Sequence, residues 1–289
     1  MVYDTLITPF VDYAFMRRAL VGTIVLSLGA APVGGFLLLR RMSLFGDAVA
    51  HGILPGAAIG FLLFGLQIMP MTIGGIIAGL TIAIAAGLVA RTTILREDAS
   101  LAAFYLISLA FGVLIVSARG SSVDLMHVLF GTVLALDDSA LFILATTTTI
   151  SLIVLASIIR TLIAEGVEPS FLAVAAGTGG IAHLLFLVLV VLNLVAAFQA
   201  LGTLLAFGLM MLPAASARMW AKSLEGLMGI AVAIAIISSV AGLLVSYHFS
   251  LASGPAIILS AGGIYVVSLI IGPISGLAWR ILPPPHRQA

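Results

Sequence analysis

Asp47 and His51 stand four residues apart within the stretch Arg40–Gly56, at the mouth of an apolar run. On a helix, residues i and i+4 share a face, so this carboxylate and imidazole can meet at one point. Pro55 falls on the same side, four residues further on. Proline has no N–H, so the carbonyl of His51 loses its helical partner. One carboxylate, one imidazole and one released carbonyl make a donor set that a divalent metal ion accepts. The competing reading is a locally hydrogen-bonded pair near the cytoplasmic boundary of a membrane. Ionisable residues inside apolar spans are costly and mark substrate paths, which favours the metal. Asp124 and His127 form a second acid–histidine set, three apart, with Asp137 and Asp138 close by in sequence. Solvated surface charge is the first reading of that set, and a vestibule that collects cations is the second. His183 is alone in a long apolar run and reads as a hydrogen-bonded core residue. His248 and His286 fall at span ends.

The elements that must hold these residues lie in a membrane. The 289 residues are 62% hydrophobic and 8% charged, against about 25% charged in a soluble domain. Runs of about 20 apolar residues cross a bilayer. They place spans at 18–39, 49–66, 71–90, 99–118, 139–163, 170–198, 226–247 and 256–277. The segment 202–213 is apolar but short, either a ninth, half-length crossing or a re-entrant piece. The segment 121–136 is too short to cross and reads as an interfacial or dipping helix. The expected fold is an all-α polytopic protein of eight long transmembrane helices plus this ninth segment, forming a single domain over 1–289. Short strands of alternating polarity are absent, which argues against an outer-membrane barrel. With no cysteine, neither disulfides nor thiolate metal sites can form. The formal charge of +1 argues against nucleic acid, and residues 1–15 lack the basic region of a cleavable signal peptide.

Lysine and arginine set the orientation. With nine crossings and an external N-terminus, Arg40, Arg41, Arg91, Arg96, Arg160, Arg218, Lys222, Arg280 and Arg287 fall inside. Only Arg17, Arg18 and Arg119 then fall outside. Eight crossings would put Arg40, Arg41, Arg91, Arg96 and Arg160 outside, so nine is preferred. The second span also carries Ala48, Gly52, Gly56 and Gly60 at four-residue spacing, a strip that lets two helices approach closely in lipid. It suits a helix at the centre of a bundle or at a subunit seam.

The stretch from Pro213 through Ala214, Ala217, Arg218, Lys222 and Glu225 would lie on the cytoplasmic face. It reads either as an interfacial helix anchored by Trp220 or as a docking element for a cytoplasmic partner. The chain has no G-x-x-x-x-G-K-[ST] for a nucleotide phosphate. It has no H-E-x-x-H or G-x-S-x-G, so an intramembrane hydrolase has little support.

The run from Arg40 to Gly56 resembles the signature of the ABC-3 family, the permeases of zinc/manganese-type ABC importers. Arg96-Glu97-Asp98, Leu129–Ala135 and Gly202–Arg218 agree in order, so the resemblance covers almost the whole chain. It implies a type II importer-like permease in a bacterial inner membrane. It implies a homodimer on two cytoplasmic ATPase subunits, fed by an extracytoplasmic metal-binding protein. ATP would then be hydrolysed by the partner, and this chain would hold no permanent cofactor. The family's metal-path residues carry over to Asp47 and His51, and less firmly to Asp124. The stretch Ala214–Glu225 would be the coupling segment. The expected cargo is a divalent transition metal, zinc first, then manganese or iron. A permease for a siderophore-type ligand and an ion-gradient carrier with Asp47 and His51 as a proton relay remain the alternatives.

Overall fold

The computed structural model describes residues 6–65, 67–94, 97–118, 133–167, 179–274 and 276–277. Among these residues the chain is helical throughout. A short α1 (Thr8–Asp12) precedes α2 (Ala14–Leu39). Then come α3 (Phe45–Gly52), α4 (Leu54–Phe64), α5 (Ile68–Thr92) and α6 (Glu97–Ala118). A 3-10 turn at Val133–Ala135 leads to α7 (Asp138–Val167) and α8 (Gly179–Leu201). The chain continues through α9 (Thr203–Ala217), α10 (Leu224–Phe249) and α11 (Ser253–Ile271). Among the described residues seven helices are long and apolar enough to cross a bilayer, counting α3 and α4 as one, while Ala99–Ile115 and Thr203–Ala217 are shorter apolar helices. Of the expected dipping segment 121–136, only its last four residues lie among those described.

The bundle is built around α2, α8 and α9. Their buried residues, among them Leu26, Val33, Val190, Leu194, Leu209 and Met210, join one apolar core that extends to Ile257 on α11. Small residues make this possible, because without a hydrophobic driving force helices in lipid associate by close packing. A Cβ added at Gly34 would strike the Met210 carbonyl, and one at Gly35 would lie 2.7 Å from Leu227 Cδ2. Thus α2 touches α9 backbone to backbone. A single residue, Gly202, reverses the chain between α8 and α9. Its φ of 92° lies where a side chain is strained.

The small strip of the second span is confirmed as a packing face, and its partner is α5 of the same chain. A Cβ on Gly56 would meet the Gly74 carbonyl, and one on Gly74 would meet the Gly56 carbonyl. Gly60 faces the carbonyl of Pro70, and Gly52 faces Ile82. The strip is therefore filled within the chain and does not form a subunit seam.

Polar groups mark the two ends of the bundle. At one end, Arg18 pairs with Asp138 at 3.0 Å, and Tyr13 lies against Tyr247. There Asp137 takes the Ala140 amide at 2.8 Å and the Ser139 hydroxyl at 2.7 Å. These bonds cap the start of α7 and hold the Asp137 carboxyl below its ordinary pKa. At the other end α2 closes with Arg41 in the left-handed region, φ 59°. The Met42 amide reaches Leu37 O and the Arg41 amide reaches Leu38 O, the paired bonds of a Schellman ending. That ending leaves the Arg40 side chain free to turn inward.

Candidate metal path at a broken helix

The second span is not one continuous helix. The Ile53 amide still reaches Val49 O at 3.0 Å, and the Ala57 amide reaches Ile53 O at 3.1 Å. No amide closes the ladder onto Ala50, His51 or Gly52 from four residues on. Pro55 accounts for His51, since it has no N–H to give. The release that Pro55 implies for one carbonyl thus spreads to a run of three.

Asp47 and His51 lie on α3 just before this break. His51 Nε2 stands 3.6 Å from Asp47 Oδ1, too far for a hydrogen bond. The side chains are 38% exposed for His51 and 48% for Asp47. The local hydrogen-bonded pair is therefore not what forms. Both groups keep lone pairs for a third party, and both open away from the packed core. The wall beside them is α6. The Tyr105 ring lies 6.4 Å from the His51 ring, centroid to centroid, tilted by 35°. Ser108 Oγ donates to Gly52 O at 3.0 Å, and Pro55 Cγ sits 3.0 Å from where a Gly112 Cβ would be. Tyr105 is eight residues into α6, roughly 12 Å along its axis. Along α3 itself, Asp47 falls in the first turn and His51 one turn further on.

Asp124 and His127 lie outside the described residues. Among the described residues no cluster of three or more His, Asp or Glu could hold a metal ion. Asp47 and His51 offer two side chains, short of a full coordination shell.

His183 is hydrogen-bonded, as expected, but it is half-buried near the start of α8 and not in the core. Its Nδ1 lies 2.6 Å from Arg40 Nη1. Arg40 also pairs with Glu165 at 2.7 Å, with side chains only 14% and 17% exposed, and its guanidinium stands 5.6 Å over the Phe186 ring. This bracket ties the ends of α2, α7 and α8. Sequence reasoning missed it, because Arg40 is more than a hundred residues from both Glu165 and His183. Tyr105 and Ser108 were missed too, although Tyr105, Ser108 and Gly112 repeat at helical spacing on one face of an otherwise apolar span.

The expected coupling stretch needs correction. It is not a separate helix beginning at Pro213. Helix α9 runs through Pro213 to Ala217, and Pro213, Ala214 and Ala217 are buried within the chain. These three pack against the bundle and present nothing to a partner. Arg218 and Lys222 are exposed on the turn between α9 and α10, and Glu225 is exposed in the first turn of α10. The turn is tied down by Trp220 Nε1 donating to Ser268 Oγ at 2.9 Å and by the Ile274 amide on Met219 O.

A bundle of apolar helices, seven of them long enough to cross a bilayer among the described residues, defines an all-helical polytopic membrane protein. The chain belongs to the ABC 3 transport family, whose profile matches residues 12–272. It is 35% identical over 263 residues to the manganese import system permease protein ScaB of Streptococcus gordonii, covering 91% of this chain and 93% of that one. It is 31% identical to the manganese transport system membrane protein MntC of Listeria monocytogenes, covering 92% and 94%. The chelated iron transport system membrane protein YfeD of Yersinia pestis is 28% identical, covering 98% and 94%. Among solved structures, PsaBC from Streptococcus pneumoniae in complex with Fab superimposes with a TM-score of 0.81 at 32% identity, covering 94% of this chain and 97% of that one. An inward-facing metal-chelate type ABC transporter, at 12% identity and TM-score 0.71 over 88% and 85% of the chains, shares the fold.

Proposed function

We propose that this chain is the membrane-spanning permease subunit of a bacterial ATP-binding-cassette importer for divalent transition metal ions. Manganese comes first, with iron and zinc behind it. The observation that carries the reading is the Asp47–His51 pair, close but not hydrogen-bonded and half-exposed beside a broken helix, in a member of this family. Relatives named for manganese move the cargo away from the zinc that the sequence alone favoured. Carboxylate and carbonyl oxygens suit manganese, and the imidazole keeps iron and zinc within reach of the same site. The missing ligands would come from a second permease copy, from carbonyls at the α3–α4 break or from water. A carrier with an incomplete shell can release its ion.

The permease performs no hydrolysis itself. Two cytoplasmic ATPase subunits would supply it, and an extracytoplasmic metal-binding protein would deliver the ion. Arg218, Lys222 and Glu225 are the exposed docking charges, while Pro213, Ala214 and Ala217 fix the helix that carries them. The test is manganese uptake by proteoliposomes holding this chain with its ATPase, given the binding protein outside and ATP inside. Uptake should need all three. Arg218→Glu with Lys222→Glu should lower it by about tenfold through lost docking while manganese binding to the permease survives. Accumulation driven by an ion gradient without the ATPase would overturn the reading.

Nine passages, with an external N-terminus, remain the preferred topology. The Arg18–Asp138 and Tyr13–Tyr247 contacts at one end, and the Arg40–Glu165–His183 bracket at the other, support an odd number of passages. The cysteine-free chain is a ready host for labelling. Cysteines at the exposed positions Ser43 and Ser223 should resist an impermeant outside reagent, and one at exposed Ala252 should react. The opposite pattern would invert the topology.

A further inference from the structure

Serine and threonine hydroxyls inside membrane helices commonly bond the carbonyl a turn earlier on their own helix. Several do so here, as Ser238 does to Ile234 O, Ser239 to Ala235 O and Thr81 to Ile77 O. Ser108 does not. Its hydroxyl crosses to another helix and lands on Gly52 O at 3.0 Å. That carbonyl is one of the three that the break leaves without a helical amide, and it belongs to the residue next to His51. One turn away on the same face of α6, the Tyr105 ring lies against the His51 ring. One turn in the other direction, Gly112 leaves room for Pro55.

We propose that Ser108 is a positioning residue for metal transport: its hydroxyl holds the α3–α4 break in the form that aims His51 at the ion, with the Tyr105 ring as the backing of the imidazole. The inference rests on the reading of Asp47 and His51 as metal-path residues. In its absence the Gly56 amide could close onto Gly52 O and straighten the span, which would rotate α3 relative to α4 and turn His51 away. Tyr105 acts through its ring, so the hydroxyl of that residue is dispensable.

The test uses the complete importer in proteoliposomes and follows initial manganese uptake against manganese concentration. Ser108→Thr and Ser108→Val are matched in shape and differ in the hydroxyl. Thr should keep the wild-type KM. Val should raise it by about threefold or more, the factor that an average interhelical hydrogen bond in a membrane corresponds to. Assembly with the ATPase should be the same for both. Tyr105→Phe should behave as wild type, and Tyr105→Leu should resemble Ser108→Val. Equal KM values for the Thr and Val variants, in a protein that Asp47→Asn inactivates, would overturn the positioning role and leave the transport reading standing. Normal uptake by Asp47→Asn would instead sink the transport reading and this inference together. A Tyr105→Leu variant with wild-type KM would remove the ring from the proposal.

Discussion

Asp47→Asn and His51→Leu are each expected to lower metal uptake by about 100-fold or more in correctly inserted protein. Loss of groups that merely orient a ligand costs 10–100-fold in metal affinity, and these two groups are the ligands proposed. Asparagine keeps the size of Asp47 and leaves a neutral oxygen. Leucine removes the imidazole and suits a membrane interior. Neither adds a buried charge, and both positions are half-exposed, so both variants should insert and assemble. The double variant should cost little more than either single one, because residues acting on one shell are not additive. Radioactive manganese uptake, scaled to the amount of assembled complex, makes the measurement. Normal rates in both variants would make the pair structural and send the path past Asp124 and His127.

What the sequence made legible follows from what lipid does to sequence signals. Span positions could be read because the bilayer demands length and hydrophobicity: α2, α5, α7 and α10 begin and end within a few residues of expectation, while α11 stops at Ile271, short of the expected 277. The break after His51 could be read because proline acts locally. The Ala48–Gly60 strip announced close packing, since only small residues permit it, but it could not say which helix lies opposite. Helix faces were the hard part. In water an apolar stripe points to the core, whereas in lipid both core and surroundings accept leucine. Thus Ala214 and Ala217 gave no sign that they are buried, and the Ala-rich stretch passed for a surface helix. The Arg40–Glu165–His183 bracket was invisible for another reason. A charge at a helix end looks solvated until the fold brings its partner, and here the partners come from α7 and α8. His183 was correctly taken as hydrogen-bonded, though it is half-buried at the start of α8 and not in the core. Its bond to an arginine is what allows that arginine to sit nearly buried.

Gly34→Ala is expected to destabilise the protein by about 3 kcal/mol, at the upper end of the cost of overpacking a core, although it adds a single methyl group. The added Cβ would fall on the carbonyl oxygen of Met210, with the Met210 carbonyl carbon 2.7 Å away. Backbone cannot swing aside as a side chain can, so α2 and α9 would have to part. Met210 is fully buried, which leaves α9 no free space to retreat into. Its start is fixed by the reversal at Gly202, and its far end leads into the turn that carries Arg218 and Lys222. The same parting would therefore shift the proposed docking charges. Gly263→Ala supplies the control, because an added Cβ there meets nothing within 4 Å and alanine favours a helix. Thermal unfolding of the detergent-solubilised variants should show a clear drop for Gly34→Ala and none for Gly263→Ala. Gly34→Leu should not be recovered as folded protein. Equal melting temperatures for the two alanine variants would mean that α2 and α9 do not meet at this point, and the close approach at the centre of the bundle would have to be abandoned.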